Sequence, residues 1–499
     1  MRSSPKADPH TGWIARWGTP ALLLLIAFGL RLYRLGDANL WWDEALAIWG
    51  VRKGFLGVTL WTAGDVHPPL YFWSLWGWVQ LVGESEFAMR MLSLAFGVLT
   101  IAVVYSLGSL VAGRTVGSLA ALLTGLSRFH IWWSQEMRMY VLAGLVGTLS
   151  IYFFLRWFRA ERTDLPSYME GESPSRWLLF YVLATVGALY TIFLMGALLL
   201  VQNVVILMIL IWPRGWRHKA LLPKWIASQG AILLALGAWL ALAWGRMSTW
   251  SVAKPFAPSP FARLYATLLV TGISVNVERY TWTVFLPTLV LLVGGGLLLR
   301  EWRRNRHGFK PKVLDALTLF LAFTLPPIAI YLASLPRALF YTPRVEARYF
   351  LPFAPAFWTL LAWSIVRIGQ RWRAIGWASG GVLLALWIAF LPGYYTGRVL
   401  RDELQTMVRT IISQAEPGDA VLLDSGGRFP VFLYYYDRIP DTGWWRPPML
   451  TVSRQETILS ASKVDAEMTA IAKAHRRIWL AEVDVNLTDP EPRVGKWLG

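Results

Sequence analysis

The sequence predicts a polytopic α-helical membrane protein followed by a small α/β domain. Three observations carry this reading. The 499 residues are 56% hydrophobic and 16% charged, with a mean hydropathy of +0.44, whereas soluble chains average about 25% charged residues. Apolar runs recur at the roughly 20-residue length that spans a bilayer. The pattern then changes near Tyr395, where short apolar strands begin to alternate with amphipathic helical periodicity. The 30 Trp and 18 Tyr suit the aromatic belts of a membrane interface.

The net charge of +18 would suit a nucleic-acid binder, but its distribution argues for a membrane and against nucleic acid. Lys and Arg cluster between apolar runs, at Arg156–Arg162, Arg214–Lys224, Arg300–Lys312 and Arg367–Arg373. Basic clusters at alternate span ends mark the cytoplasmic side and favour anionic membrane lipids. Residues 395–499 hold 13 Lys and Arg against 14 Asp and Glu, so the positive charge belongs to the membrane part. The absence of cysteine excludes disulfides, thiolate metal sites and a cysteine nucleophile.

The first span is expected near 17–35, uncleaved, because Arg31-Leu32-Tyr33-Arg34 follows it rather than a small-residue cleavage site. A first outer loop near 36–86 is too polar for one membrane helix. It contains two shorter apolar-aromatic helices of interfacial length, Glu44–Gly54 and Pro69–Val82. Further spans are expected near 87–111, 115–131, 139–157, 177–195, 196–212, 221–244, 281–299, 313–335, 348–366 and 374–392, about eleven in all. A short helix, Phe261–Gly272, lies in an outer stretch. An odd number of spans with a cytoplasmic N-terminus puts the C-terminus outside. The expected domains are therefore a transmembrane catalytic domain over 1–394 and an extracytoplasmic α/β domain over 395–499, with a helix at Arg401–Ala415, a strand at Ala420–Leu423, a helix at Val464–His475 and a strand at Arg477–Ala481.

Four motifs carry candidate chemistry. In Trp41-Trp42-Asp43-Glu44-Ala45 two carboxylates stand at a membrane edge, where ionisable groups are costly. One can serve as a general base with its neighbour binding an acceptor or metal; equally, the pair can cap the helix that starts near Ala45. In Asp65-Val66-His67-Pro68-Pro69-Leu70-Tyr71 the prolines start a helix. His67 there is either a phosphate or metal contact or a structural hydrogen-bonder. Gln135-Glu136-Met137-Arg138-Met139-Tyr140 ends an outer span, so that Glu136, Arg138 and Tyr140 either form a solvated turn or face a cavity that holds an anionic group. In Pro343-Arg344-Val345-Glu346-Ala347-Arg348-Tyr349 two outer arginines run against the positive-inside rule, which favours guanidinium forks on phosphate oxygens over interfacial snorkelling. Two weaker patterns, Asp424-Ser425-Gly426-Gly427 and Asn486-Leu487-Thr488, match fragments of nucleotide-binding and glycosylation motifs.

The ordered set, Asp-Glu in a first outer loop, then His-Pro-Pro-Leu-Tyr, Gln-Glu-x-Arg-Met-Tyr and a late Arg-Tyr-Phe-x-Pro, resembles the GT-C membrane glycosyltransferases over about residues 17–390. The similarity is to the prokaryotic branch of the protein O-mannosyltransferase and aminoarabinose transferase family. That resemblance implies an inverting transfer of a sugar, mannose-like or another hexose or pentose. The sugar would pass from a polyprenyl-phosphate carrier to a protein, lipid or glycan acceptor at the outer face of the cell membrane. It implies Asp43 as general base and Glu44 as a partner holding acceptor or metal. His67, Arg138, Tyr140 and Arg348 become carrier-phosphate or sugar contacts, with Glu136, Arg344 and Tyr349 beside them. The one cofactor suggested is a divalent metal, whose ligands would be Asp43, Glu44 and His67. The α/β character of the C-terminal domain departs from the β-trefoil of eukaryotic protein mannosyltransferases, and His67 replaces the lysine of the aminoarabinose branch. A transporter or flippase of lipid-linked saccharides is the alternative, though it would place charges mid-span and show inverted repeats.

Overall fold

A computed structural model of the chain describes residues 9–161, 173–211, 221–246, 257–304, 311–335, 345–397, 400–401, 403–424, 429–438, 446–451, 461–483 and 493–498. In chain order its elements are α1 (Pro9–Leu32), α2 (Trp42–Val51), α3 (Gly54–Ala63), α4 (Leu70–Val82), α5 (Glu86–Ala112), α6 (Arg114–Leu126), α7 (Arg128–Ser134), α8 (Tyr140–Ala160), α9 (Pro174–Leu189) and α10 (Gly196–Ile211). There follow α11 (Leu221–Ala243), α12 (Pro258–Thr271), α13 (Phe285–Arg304), α14 (Pro311–Ala333), α15 (Ala354–Arg371), α16 (Arg373–Thr396) and α17 (Glu403–Gln414). The chain closes with β1 (Asp419–Asp424), α18 (Phe429–Asp437), β2 (Met449–Thr451), α19 (Ala461–Ala474), β3 (Arg477–Glu482) and α20 (Arg493–Leu498).

Two compact units result: Met1–Leu35 with Gly54–Gly397, and Gly36–Lys53 with Arg398–Gly499. The sequence places residues 36–53 in the transmembrane domain of 1–394; in the structure that segment packs with the C-terminal residues. The physical reason is local. Asn39 N donates to Leu400 O at 2.8 Å, Leu40 N donates to the Tyr435 hydroxyl at 2.6 Å, and α2 lies along α18.

In the membrane unit, eight helices among the described residues are long and apolar enough to cross a bilayer. About eleven were expected; three further apolar helices, Trp17–Leu32, Gly54–Ala63 and Pro174–Leu189, are shorter. The span expected at 115–131 is broken because the Ser127 hydroxyl accepts from His130 N and starts a new helix, α7. Helix α15 is the centre of the unit: its apolar window is 89% buried, against 22% for α11 and for the span containing α13. A helix that is hydrophobic all round belongs in the core, whereas one that exposes apolar side chains faces lipid. Small residues let α5 and α6 meet closely, since a Cβ on Gly108 would stand 2.9 Å from Gly117 Cα. The loop expected to hold two interfacial helices holds three, because 54–63 also forms a helix, α3.

In the C-terminal unit, β1 is the middle strand of a three-stranded sheet of order β2-β1-β3, parallel throughout. Asp419 pairs with Arg477 and Asp424 with Glu482 at its two ends. All six residues of β1 are buried, as a parallel strand covered on both faces should be. Leu422 packs with Val464 and Met468 of α19 and Val494 of α20. The expected α/β alternation is present, with α18 and β2 added between the elements foreseen. Ser425–Gly427 and Asn486–Thr488 lie outside the described residues.

Candidate active site

The turn that joins α7 to α8 is built by buried polar groups. Gln135 donates through Nε2 to Arg31 O at 2.7 Å and Tyr33 O at 2.8 Å, and accepts at Oε1 from the Tyr394 hydroxyl at 2.7 Å. These bonds join the ends of α1, α7 and α16. Arg31, itself fully buried, spends its five N–H donors on Ser134 Oγ, Ala27 O, Gly125 O, Thr124 O and His130 Nδ1. Because His130 Nδ1 accepts from a guanidinium, its ring proton belongs on Nε2. The chain then tightens, with Arg138 N donating to Glu136 O at 2.8 Å, before α8 begins at Tyr140.

Glu136, Arg138 and Tyr140 are all buried at that turn. Tyr140 is the hub. The Arg138 and Arg348 guanidiniums stand 6.0 and 5.6 Å from its ring centroid, the Tyr349 ring 6.1 Å and the Trp133 ring 5.1 Å. Arg348 and Tyr349 come from a 3-10 turn, Ala347–Phe353, which packs on α8. Two guanidiniums on one aromatic ring concentrate positive charge and fork donors where an anion can bind. Arg344 lies outside the described residues.

His67 and Asp65 form a pair, His67 Nδ1 to Asp65 Oδ2 at 2.9 Å, while Val66 N donates to Asp65 Oδ1 at 2.7 Å. Burial pushes the Asp65 carboxyl up, but the His67 bond, the His67 charge, the Val66 N–H and the charge of Arg138 together hold it below the usual carboxylate range. The Asp65 carboxylate therefore orients the His67 ring through Nδ1. The following helix α4 is anchored by Leu70 N donating to Tyr190 O at 2.9 Å.

Beside Phe350 of the same 3-10 turn, α12 to α15 line an open apolar groove of about 910 Å³, with Phe261, Tyr265, Leu292, Phe320 and Trp363 in its wall. Phe350 meets Phe261 and Tyr265 edge-on at 5.6 and 5.1 Å.

Asp43 and Glu44 belong to the C-terminal unit, as the second and third residues of α2. Both are buried. Glu44 Oε2 accepts from Trp41 N at 3.4 Å and stands 3.9 Å from Arg401 Nη1. Among the described residues no three His, Asp or Glu side chains come together as a metal-ion set.

Sequence reading named Tyr140, Arg138, Arg348 and Tyr349, which the fold gathers at one place. It gave no role to Gln135, which it read only as part of the motif, to Arg31, which it read only as following the first span, or to Arg401. Arg31 carried a readable signal, an ionisable residue inside a span; Arg401 carried none, because its partner is more than 350 positions away.

Residues 66–244 match the family described as dolichyl-phosphate-mannose-protein mannosyltransferase. No curated protein matches the chain by sequence. Among solved structures it is similar to ArnT from Cupriavidus metallidurans in the apo state, with 15% identity, 94% of this chain and 89% of that chain covered, and a TM-score of 0.52. The same ArnT bound to undecaprenyl phosphate matches at 14% identity over 98% and 91%, also with a TM-score of 0.52. The apo Archaeoglobus fulgidus oligosaccharyltransferase matches at 12% identity over 96% of this chain and 65% of that chain, with a TM-score of 0.50. The chain is thus a multi-pass membrane protein with the GT-C glycosyltransferase fold, and its residues 66–244 carry the sequence pattern of the dolichyl-phosphate-mannose-protein mannosyltransferases.

Proposed function

We propose that the protein is an inverting glycosyltransferase that moves a sugar from a polyprenyl-phosphate carrier to a protein, lipid or glycan acceptor at the extracytoplasmic face of the cell membrane. The observation that carries this reading is the pairing of Arg138 and Arg348 on the Tyr140 ring. The Asp65–His67 pair adds a further donor, since Asp65 feels the charge of Arg138. The basic clusters between spans support the orientation.

The reaction breaks the bond between the anomeric carbon and the carrier phosphate oxygen and forms one to an acceptor oxygen or nitrogen. The acceptor loses a proton, which Asp43 takes as general base. The leaving polyprenyl phosphate keeps the bonding electrons and gains negative charge. Arg138, Arg348 and the Nε2–H of His67 stabilise that charge as it develops. Glu136 and Tyr349 are further substrate contacts, and the prenyl tail occupies the apolar groove beside Phe350. Direct inversion needs one base, with no glycosyl-enzyme intermediate.

The test is sugar release from polyprenyl-phosphate sugars by purified protein, with Asp43→Asn and Arg348→Gln compared to wild type. A lost general base costs about 10²- to 10⁴-fold, so Asp43→Asn should be nearly inactive. Turnover equal to wild type would sink the base assignment. Carrier movement across a bilayer with no sugar transfer would replace the enzyme reading by a flippase.

A further inference from the structure

We propose that the C-terminal unit is a clamp for the helix that carries Asp43, and that Arg401 is its positioning residue. The inference rests on Asp43 being the base. Helix α2 has 10 residues. Isolated helices shorter than about 12–15 residues are marginal, so something outside α2 must hold it.

Both ends of α2 are gripped by residues more than 340 positions away. Before the helix, Asn39 N donates to Leu400 O at 2.8 Å, Asn39 Nδ2 to Arg401 O at 3.1 Å, and Leu40 N to the Tyr435 hydroxyl at 2.6 Å. In its last turn and just beyond, the Trp49 ring meets Phe429 edge-on at 5.6 Å and Arg52 pairs with Asp437 at 3.0 Å.

The grip nearest the chemistry is Arg401. Glu44, adjacent to Asp43, is fully buried, and a buried carboxylate needs a cation. Arg401 supplies one at 3.9 Å and lies 5.6 Å over the Trp41 ring, while Trp41 N bonds Glu44 Oε2. The residues flanking Trp42 and Asp43, Trp41 and Glu44, are therefore both tied to Arg401. Its own backbone supports the assignment. Arg401 has φ +58°, a conformation that non-glycine residues seldom adopt. Such strain persists where the surroundings fix it; a glycine would adopt this backbone at less cost but carry no guanidinium. The fully buried Glu44 thus serves as the anchor of the base-bearing turn rather than as an acceptor ligand.

The experiment measures kcat and KM for the polyprenyl-phosphate sugar in the full-length protein. The variants are R401Q, R401K, E44Q, the double variant E44Q/R401Q, and D43N. A misplacement of about 1 Å can cost 10²-fold, so R401Q should lower kcat by roughly 10- to 100-fold with KM unchanged. R401K should recover part of that loss. The double variant should lose less than the sum of the E44Q and R401Q losses, because the two changes act on one pair. Hydrogen exchange in residues 39–52 should rise in R401Q and stay unchanged in the spans. Wild-type kcat in R401Q, or a loss confined to KM, overturns the clamp. If D43N is inactive while R401Q is fully active, the clamp alone fails; if D43N turns over normally, the base reading fails first. Should R401Q not fold, R401K and E44Q carry the same kcat-against-KM comparison.

Discussion

Arg31 in the membrane unit and Glu44 in the C-terminal unit are both charged and both fully buried, yet they are satisfied in opposite ways. Arg31 meets neutral dipoles: three carbonyls, a serine hydroxyl and a histidine nitrogen. Two of the carbonyls, on Thr124 and Gly125, belong to the last turn of α6, where the helix dipole is negative. Glu44 meets a full charge on Arg401, whose side chain is 29% exposed. The same contrast recurs at Asp419, which is fully buried and paired with an Arg477 that is 42% exposed. At Arg31 the charge is met by backbone carbonyls and a helix end, which neither titrate nor feel salt, although the same unit also holds an ion pair, Arg159 with the buried Asp315. Where water is near, charge is met by an ion that does both.

The sharpest break of this contrast is Arg31→Leu. It strips a partner from three carbonyls, Ser134 and His130; Thr124 O keeps Ser127 N and Ser134 Oγ keeps His130 O, and each group left unsatisfied and buried costs about 1–3 kcal/mol. Several kcal/mol of stability should be lost, seen as a large fall in Tm for the detergent-solubilised protein. The fall should be the same at low and high salt. A fall that salt erases would show that ionic pairing, not dipoles, holds this end of the bundle.

Next in size is Asp65→Asn, which sharpens the comparison inside the membrane unit, because the His67 bond and neighbouring charges hold the Asp65 carboxyl low against the pull of burial. The bond to His67 is charge-assisted and worth about 1.5–3 kcal/mol. Its loss should weaken carrier binding at least about tenfold, since 1.4 kcal/mol is tenfold. The measurement is KM for the polyprenyl-phosphate sugar, and an unchanged KM would remove His67 from the carrier site.

The same contrast explains what could be read from the sequence. Spans were legible because lipid imposes length and apolarity, and eight helices among the described residues are long and apolar enough to cross a bilayer. The motif around Arg138 and Tyr140 was legible because charge at a span end is rare. The partners of Arg31 and Gln135 were not, since backbone carbonyls leave no trace in a sequence. Residues 36–53 read as part of the membrane unit because they follow its first span. The groups that hold them, Leu400, Arg401 and Tyr435, lie beyond the last span, and contacts across such separations have no local periodicity to announce them. Helix α3 was not foreseen, since the expected helix Glu44–Gly54 ends where α3 begins; packing against α4 keeps 54–63 helical.

The smallest effect is expected at Asp419, where the ionic side of the contrast can be titrated. Its carboxylate accepts from Arg477 Nε at 2.9 Å and Nη2 at 2.7 Å, from Trp479 Nε1 at 3.1 Å and from Glu416 N at 2.8 Å. The Arg477 fork, against the opposing pull of burial, holds the Asp419 carboxyl well below the usual carboxylate range. A carboxyl depressed in the folded state contributes stability that is present above its unfolded value, about 3.9, and is lost as pH falls through the folded value. The C-terminal unit should therefore weaken below about pH 4, and Asp419→Asn should flatten that part of the acid limb while lowering stability at neutral pH. Because Arg477 is partly exposed, solvent and salt screen the pair. Added salt should then shrink the difference between wild type and Asp419→Asn, in contrast to the salt-independent loss expected for Arg31→Leu. Hydrogen exchange of β1 and β3 between pH 7 and 3 reads both arms, and an acid limb identical in the two proteins would move the acid sensitivity of this unit to other groups.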